Sequence, residues 1–256
     1  PGVLAEAQSP DDPLSGSSGT QLTTVPWTAS QAYVQYQDTE QVDGIVTTVQ
    51  NAANYDASYD IPTDAVMVYA DNVGASDNLL DSWADNLGDR ELCMMISANR
   101  SNSDEYYTVY GGNDSNIQIN KDGESISTMF QYRVPTQNYI DYKWEIIKKH
   151  CTDYPQMNTV VLEEPEPWQA SGYSDAFKQE WQAYYGEAWQ DPASSTANQY
   201  KASKLKVYLW ERFLETLATR TKQMFPNVKV LVATHSVNSY NHIGMVAGTG
   251  HYTELN

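Results

Sequence analysis

Basic charge, cysteine and phenylalanine are scarce in this chain, and the first two scarcities each close off a class of function. Fifteen Lys and Arg face thirty-three Asp and Glu across 256 residues, giving a net charge of −18. Such a surface repels nucleic acid and anionic membranes, because no basic stripe offsets it. Cys93 and Cys151 are the only cysteines. Neither belongs to a Cys-x-x-Cys pair and no His-Glu-x-x-His is present, so neither a metal site nor a cofactor is expected. Cys93 lies in the apolar run Leu92-Cys93-Met94-Met95-Ile96 and reads as a small buried hydrophobe. Spacing alone leaves a Cys93–Cys151 bridge open.

Other signatures are missing too. No Gly-x-Ser-x-Gly marks a serine-hydrolase elbow, and no Asp-x-Asp-x-Asn-Gly loop marks a calcium site. No glycine-rich phosphate loop follows the first strand. No apolar window reaches the length of a membrane span. The chain starts at Pro1 without the charged start and apolar core of a signal peptide. Either such a segment has been removed or the sequence is a piece of something longer. What is abundant is the polar aromatic ring: nineteen Tyr and seven Trp against four Phe. Rings with a polar handle suit sugar-binding clefts, and also wet surfaces and interfaces.

The most informative stretch is Thr159-Val160-Val161-Leu162-Glu163-Glu164-Pro165-Glu166-Pro167-Trp168. A short continuous apolar run reads as a strand buried on both faces, as in a parallel sheet. Pro165 and Pro167 cannot continue a central strand, so the acids sit at its carboxyl end. In α/β folds, ligands and catalytic groups gather at that edge.

Residues 1–25, rich in Pro, Ser, Gly and Asp, read as a linker or irregular lead-in, and 26–256 as one (β/α) barrel-like domain. Strands are expected at Ala32–Tyr36, Ala65–Ala70, Leu92–Ser97 and Val228–Thr234, besides the one ending at Glu163; Met129–Val134 is a further candidate. Val42, Ile45, Val46 and Val49 follow a helical stripe that Asp38 or Thr39 would cap. A second helix carries Leu79, Leu80, Trp83 and Leu87, with Ser76 as its N-cap and Gly88 as its stop. Further helices are expected from Thr136, over Ser174–Tyr185, and from Thr196 to Gln223. The long polar stretch Ala98–Ser127 is a functional loop or carries a small hairpin.

Repeated βα units imply an α/β fold with a parallel sheet. A doubly wound sheet and a (β/α)8 barrel of the TIM type both fit, and the barrel is the choice made here. Five or six βα units are visible, and only about twenty residues follow His235, too few for two or three more units of roughly thirty residues. The expectation is therefore an incomplete barrel, the N-terminal part of a longer one.

Polar or ionisable residues recur where strands end: Asp38, Asp71, Ser97, Arg133, Glu163, Glu164 and His235. Glycoside hydrolysis needs two carboxyl groups across the sugar bond, about 5–5.5 Å apart in retaining and roughly 6.5–9.5 Å apart in inverting enzymes. Neighbours on an extended strand point to opposite sides, so Glu163 and Glu164 do not form that pair; a second acid must come from elsewhere. Asp71 is a candidate substrate contact or a helix cap, and in an inverting variant Asp71 or Glu163 would serve as the base. Arg133 either meets the ligand or pairs with a glutamate. Trp168 stacks on a sugar or covers the rim, His235 is a site residue or a core histidine, and Glu166 joins the ligand contacts.

Leu162-Glu163-Glu164-Pro165 resembles the fourth-strand signature of the clan A glycoside hydrolases, retaining (β/α)8 enzymes whose pattern there is Asn-Glu-Pro. The resemblance implies Glu164 as general acid/base, with Glu163 standing where the family has Asn. It also implies a nucleophilic Glu on a seventh strand, which this chain does not display before Asn256. Over roughly residues 130–240 the text is similar to uncharacterised exported bacterial glycosidase-like proteins, through Val134-Pro135-Thr136, Gly172–Lys178, Glu180-Trp181-Gln182, Tyr184-Tyr185-Gly186 and Ala233-Thr234-His235-Ser236.

The expectation is an exported or cell-surface protein that hydrolyses a polysaccharide or oligosaccharide, with a carbohydrate as its partner. The alternative is a non-catalytic carbohydrate-binding or surface-assembly protein. Its open strand edges would then self-associate or receive a C-terminal segment completing the barrel.

Overall fold

The computed structural model of the protein describes residues 25–26, 33–34, 46–49, 54–57, 63–71, 73–74, 77–100, 103–126, 131–165, 167–234 and 251–255. Eight strands form one sheet: β1 (Val25–Pro26), β2 (Tyr33–Val34), β3 (Val46–Val49), β4 (Ala65–Tyr69), β5 (Glu91–Ser97), β6 (Met157–Glu163), β7 (Lys229–Thr234) and β8 (His251–Leu255). Their spatial order is β1-β8-β7-β6-β5-β4-β3-β2. Strands β2 to β7 run parallel, while β8 pairs antiparallel with β7 and β1 antiparallel with β8. The helices are α1 (Asp77–Ala84), α2 (Ser103–Thr108), α3 (Gln137–Asp153), α4 (Asp175–Tyr185) and α5 (Thr196–Met224).

The parallel strands are buried on both faces, and the two faces differ. Val66 and Val68 of β4, Leu92, Met94 and Ile96 of β5, Val160 and Leu162 of β6, and Val230 and Val232 of β7 share one cluster with the apolar stripes of α1, α3 and α5. The alternate positions Ala65, Met67, Cys93, Met95, Val161, Leu231 and Ala233 form a second, smaller cluster on the other face. All three helices therefore pack on one side of the sheet. A doubly wound fold covers both sides with helices, so this one-sided arrangement is that of a (β/α) barrel wall. Among the described residues the wall is open, with β1 and β2 at its two ends.

Local chemistry sets the element boundaries. Thr136 accepts a hydrogen bond from the Tyr139 amide at the start of α3, Ser174 from Phe177 at α4, and Ser195 from Asn198 at α5. Each cap satisfies a donor that the first helical turn leaves open, worth about 1 kcal/mol. Gly186 ends α4 at φ 69°, where a Cβ would be strained. Helix α4 packs away from the sheet: Phe177 and Trp181 meet Leu205 and Leu209 of α5 and Val134 before α3.

Three expectations change. The stripe at residues 42–49 is not a helix where it is described, since Val46–Val49 is strand β3. Its Val-Thr-Thr-Val text is stiff at χ1 and favours a pleated surface, which outweighs the helical spacing. Residues 131–133 do not enter the main sheet. They make isolated antiparallel bridges, Tyr132 to Arg100 and Arg133 to Ile117, within the 98–135 excursion that also holds α2 and a bridge between Ile119 and Ser125. Finally, the two cysteines are free and buried. Cys93 lies on the inner face and Cys151 on the helix-covered face, so the sheet itself separates them. Of the expected lead-in 1–25 only Val25 is described, in β1, and the rest of it, the candidate caps Asp38, Thr39 and Ser76, and residues 127–130 lie outside the described residues.

Phe213 of α5 is fully buried, with its ring against Tyr139 of α3 at 6.2 Å and Trp210 at 5.2 Å. Phe213→Ala is expected to destabilise the fold by about 3–5 kcal/mol in denaturant titration. Burial pushes both thiols up to about 12, so a disulfide-exchange reagent should label neither until the chain is unfolded.

Candidate functional site at the carboxyl edge of the sheet

Strand register brings a set of polar side chains to one edge. Glu163 ends β6 opposite Ser97 of β5 on one side and Ala233 of β7 on the other. Tyr69 ends β4 and has the same parity as Met67 of the inner face, as Glu163 has that of Val161. Both side chains therefore rise from the inner face, and the Tyr69 hydroxyl donates to Glu163 Oε2. The backbone fixes this end of β6 from both sides. The Ala98 amide donates to the Glu163 carbonyl at 2.7 Å, and the Glu164 amide donates to the Ala233 carbonyl at 2.8 Å.

Arg100 completes the cluster from the turn after β5. Its Nη2 donates to Tyr69 Oη at 2.6 Å and to Glu163 Oε2 at 3.1 Å, and its Nε to Ser97 Oγ at 2.7 Å. The turn is held by Tyr139 of α3, whose one hydroxyl proton is shared between the carbonyls of Ala98 and Arg100, at 2.9 and 2.7 Å. Both bonds to Glu163 use Oε2, so Oε1 has no hydrogen-bond partner among the described residues. The Glu163 side chain keeps 18% of its surface exposed.

Burial dominates the electrostatics. It raises the Glu163 carboxyl above the ordinary glutamate value, with the bonds from Tyr69 and Arg100 opposing and Glu164 adding to the rise. Burial, with Asp71 and Glu163 nearby, raises the Tyr69 phenol, so it stays a donor. For Arg100, burial works against the charge, but Tyr69 and Glu163 more than compensate and hold the guanidinium protonated.

Asp71, two residues past Tyr69, forms a second pair. Its Oδ1 accepts from Lys143 Nζ at 2.6 Å and from the Ser97 amide at 3.1 Å. Lys143 is fully buried on α3, whereas the Asp71 side chain is 19% exposed. Burial pushes the Asp71 carboxyl up and the Lys143 amine down, each partly opposed by the other. Asp71 is thus tied to α3 and β5.

Glu164 departs from the strand at φ 52°, the one described non-glycine residue with a positive φ. Left-handed backbone at a residue with a Cβ costs energy and clusters at sites where direction matters. It turns the chain out of the sheet immediately before Pro165. Trp168 follows, half-buried, with its ring 5.1 Å from Tyr132, the residue bridged to Arg100.

Arg133 goes elsewhere. It is fully buried in the 98–135 excursion, donating to the Asn113 carbonyl, to Asn116 Oδ1 and to the Tyr107 hydroxyl, with its guanidinium over the rings of Tyr106 and Tyr107. Gly112 allows this packing, since a Cβ there would meet the Tyr106 ring at 2.3 Å. The cation paired with Glu163 is Arg100, not Arg133. Glu166 and His235 lie outside the described residues.

The site residues that sequence reading missed are Tyr69, Arg100 and Lys143. Tyr69 carried a signal, since an aromatic with a hydroxyl ends a buried strand one position before Ala70. Arg100 and Lys143 carried none, because a loop arginine and a helix lysine read as solvated charges.

No family model and no curated protein matches the chain. Among solved structures, alpha-L-fucosidase isoenzyme 2 from Paenibacillus thiaminolyticus is similar with a TM-score of 0.51 and 9% identity, over 66% of this chain and 27% of that one. An alpha-galactosidase from Lactobacillus brevis is similar at a TM-score of 0.37, 11% identity, 66% of this chain and 22% of that one. An alpha-galactosidase from Geobacillus stearothermophilus is similar at 0.39, 13% identity, 65% and 23%. The chain thus spans about a quarter of the length of these structures. The likeness to the fucosidase is one of fold: the chain has an α/β fold corresponding to part of a (β/α)8 barrel.

Because the folded Glu163 carboxyl is raised, its contribution to stability is fully present below its ordinary value of 4.5 and is lost as pH rises through the folded value. Glu163→Gln removes that ionisation while keeping an oxygen for Tyr69 and Arg100. Thermal unfolding from about pH 4 to about pH 8 should show the variant gaining on the parent as pH rises, with little difference at the acid end.

Proposed function

We propose that the chain is a glycosidase-like protein that binds a saccharide at the carboxyl edge of β4–β7 and cleaves its O-glycosyl bond. Glu164 serves as general acid/base. Glu163 presents Oε1 beside it, held by Tyr69 and Arg100, and Trp168 forms the apolar wall for a sugar face. The observation that carries this reading is the Glu163–Glu164 step itself. A desolvated carboxyl is followed directly by a carboxylate on left-handed backbone, at the edge where barrel sites form. The position of Glu164 before Pro165 and the resemblance to clan A add to it. The second carboxylate of the reaction, an exported location and the sugar itself belong to this proposal rather than to the fold.

One observation favours the alternative of a non-catalytic carbohydrate-binding protein. Both Glu163 and Asp71 are matched to internal cations, Arg100 and Lys143. A balanced cluster suits hydrogen bonding to sugar hydroxyls as well as it suits proton transfer.

The two readings separate in kinetics. On an unactivated oligosaccharide, Glu164→Gln is expected to lower kcat/KM by about a hundredfold or more. On a dinitrophenyl glycoside, whose leaving group needs no proton, the bond-breaking step should be largely retained. Binding that Glu163→Gln and Trp168→Ala weaken, without turnover of any glycan by the parent, would select the binding reading. Neither turnover nor binding would sink both.

A further inference from the structure

A second polar depression lies apart from the Glu163 cluster. It is a cleft of about 540 Å³, within the range of small-molecule sites. None of Tyr69, Arg100, Glu163 and Glu164 lines it. Its walls are the hairpin tip at Asn120–Asp122, the loop 169–173 after β6, the turn 192–195, and one face of α5. On α5 the lining residues Thr196, Gln199, Ser203 and Lys206 are spaced three, four and three apart. That spacing makes one polar stripe, beside the buried stripe of Leu205, Leu209 and Phe213.

Lys206 is the unusual member. It is 8% exposed, and its ammonium donates to two neutral acceptors, the carbonyls of Trp168 and Gln169, at 3.1 and 2.8 Å. An ammonium has three donors, so one remains. No carboxylate among the described residues pairs with it, although carboxylates outnumber amines and guanidinia two to one in this chain. Burial accordingly lowers the amine to about 8. A buried cation with only dipoles around it gains most from an arriving anion. The amino end of α5, at Ser195 and Thr196, adds positive potential to the same cleft. The other charged lining residues, Lys121 and Asp122, offset one another. The rest of the lining is hydroxyl and amide, with Tyr173 as an aromatic wall, which matches the hydroxyls and faces of a sugar ring.

We infer that this cleft is a binding site for a carboxylated sugar, a uronic acid unit. Lys206 and the start of α5 take the carboxylate, and Gln199, Ser203 and Asn120 take the ring hydroxyls. The inference goes beyond the site at the carboxyl edge and does not depend on turnover there.

Calorimetric titration of the full chain with D-galacturonate, D-galactose and acetate tests it. The titrations are run at about pH 6, below the Lys206 value of about 8, where the amine is charged. Galacturonate should bind at least about tenfold more tightly than either galactose, which lacks the carboxylate, or acetate, which lacks the ring. Lys206→Met keeps the apolar stem and should weaken galacturonate by about tenfold or more. Ser203 is exposed, so Ser203→Trp fills the cleft without entering the core and should abolish binding while thermal unfolding is unchanged. Equal binding of galactose or of acetate by the parent would overturn the assignment. So would galacturonate binding that survives in Lys206→Met or in Ser203→Trp. Hydrolytic activity, present or absent, leaves these readouts untouched.

Discussion

A parallel strand buried on both faces cannot end in a carboxylate unless other segments bring donors and cations to it. This chain meets that constraint twice. Asp71 follows β4 and Glu163 ends β6, and burial raises both acids. Their partners come from the stretch between the two acids: Arg100 from the turn after β5 and Lys143 from the middle of α3. The excursion 98–135 must therefore fold back over the sheet edge, and Tyr139 holds its base through one hydroxyl proton shared between the carbonyls of Ala98 and Arg100. Buried pairs of this kind add little net stability over apolar packing, but losing one partner is expensive. Their value here is positional, because they hold Tyr69, Arg100 and Glu163 in one arrangement.

The helix-covered face of the sheet is what makes that edge a site at all. With α1, α3 and α5 all on one side, the alternate side chains of β4–β7 point to a common inner face lined by Ala, Met, Cys, Val and Leu. The last inward positions of β4 and β6 are large polar groups, Tyr69 and Glu163, and at the opposite end the first inward positions of β5 and β7 are Glu91 and Lys229. Large polar groups on this face are thus confined to the strand ends, and the two-residue period of the strands decides which end groups face inward.

The strands and helices of the central region were readable because their periodicity and caps agree. Helices α3 and α4 begin beside Thr136 and Ser174, where they were expected to start, α5 begins at the expected Thr196, and β4, β5, β6 and β7 fall on the apolar runs. Residues 46–49 failed because valine serves both periods, and only β-branching at Thr47 and Thr48 distinguishes them. The antiparallel strand β8 was not foreseen, since His251–Leu255 mixes polar and apolar residues without a continuous run. Of the site, the acids at 163 and 164 stood out, as a charge at the end of a core strand must. The cations that answer them did not, because pairing across 63 residues, as between Arg100 and Glu163, leaves no trace in local text. Arg133 shows the converse error. It sits in a strand-like run, yet its guanidinium donates to Asn113, Asn116 and Tyr107 within the 98–135 excursion.

The two polar regions also differ in what a ligand would have to overcome. At the carboxyl edge Asp71 and Glu163 already have cations, so a sugar hydroxyl must share donors with Tyr69 and Arg100, and gains little unless charge develops during reaction. At the α5 cleft the balance is open: Lys206 has dipoles but no counter-ion among the described residues, and its stem lies close under the Gly172 backbone. A chain with a net charge of −18 has acids to spare. Leaving one buried lysine without any of them is a cost that apolar packing would have avoided, and a ligand that brings its own carboxylate removes it.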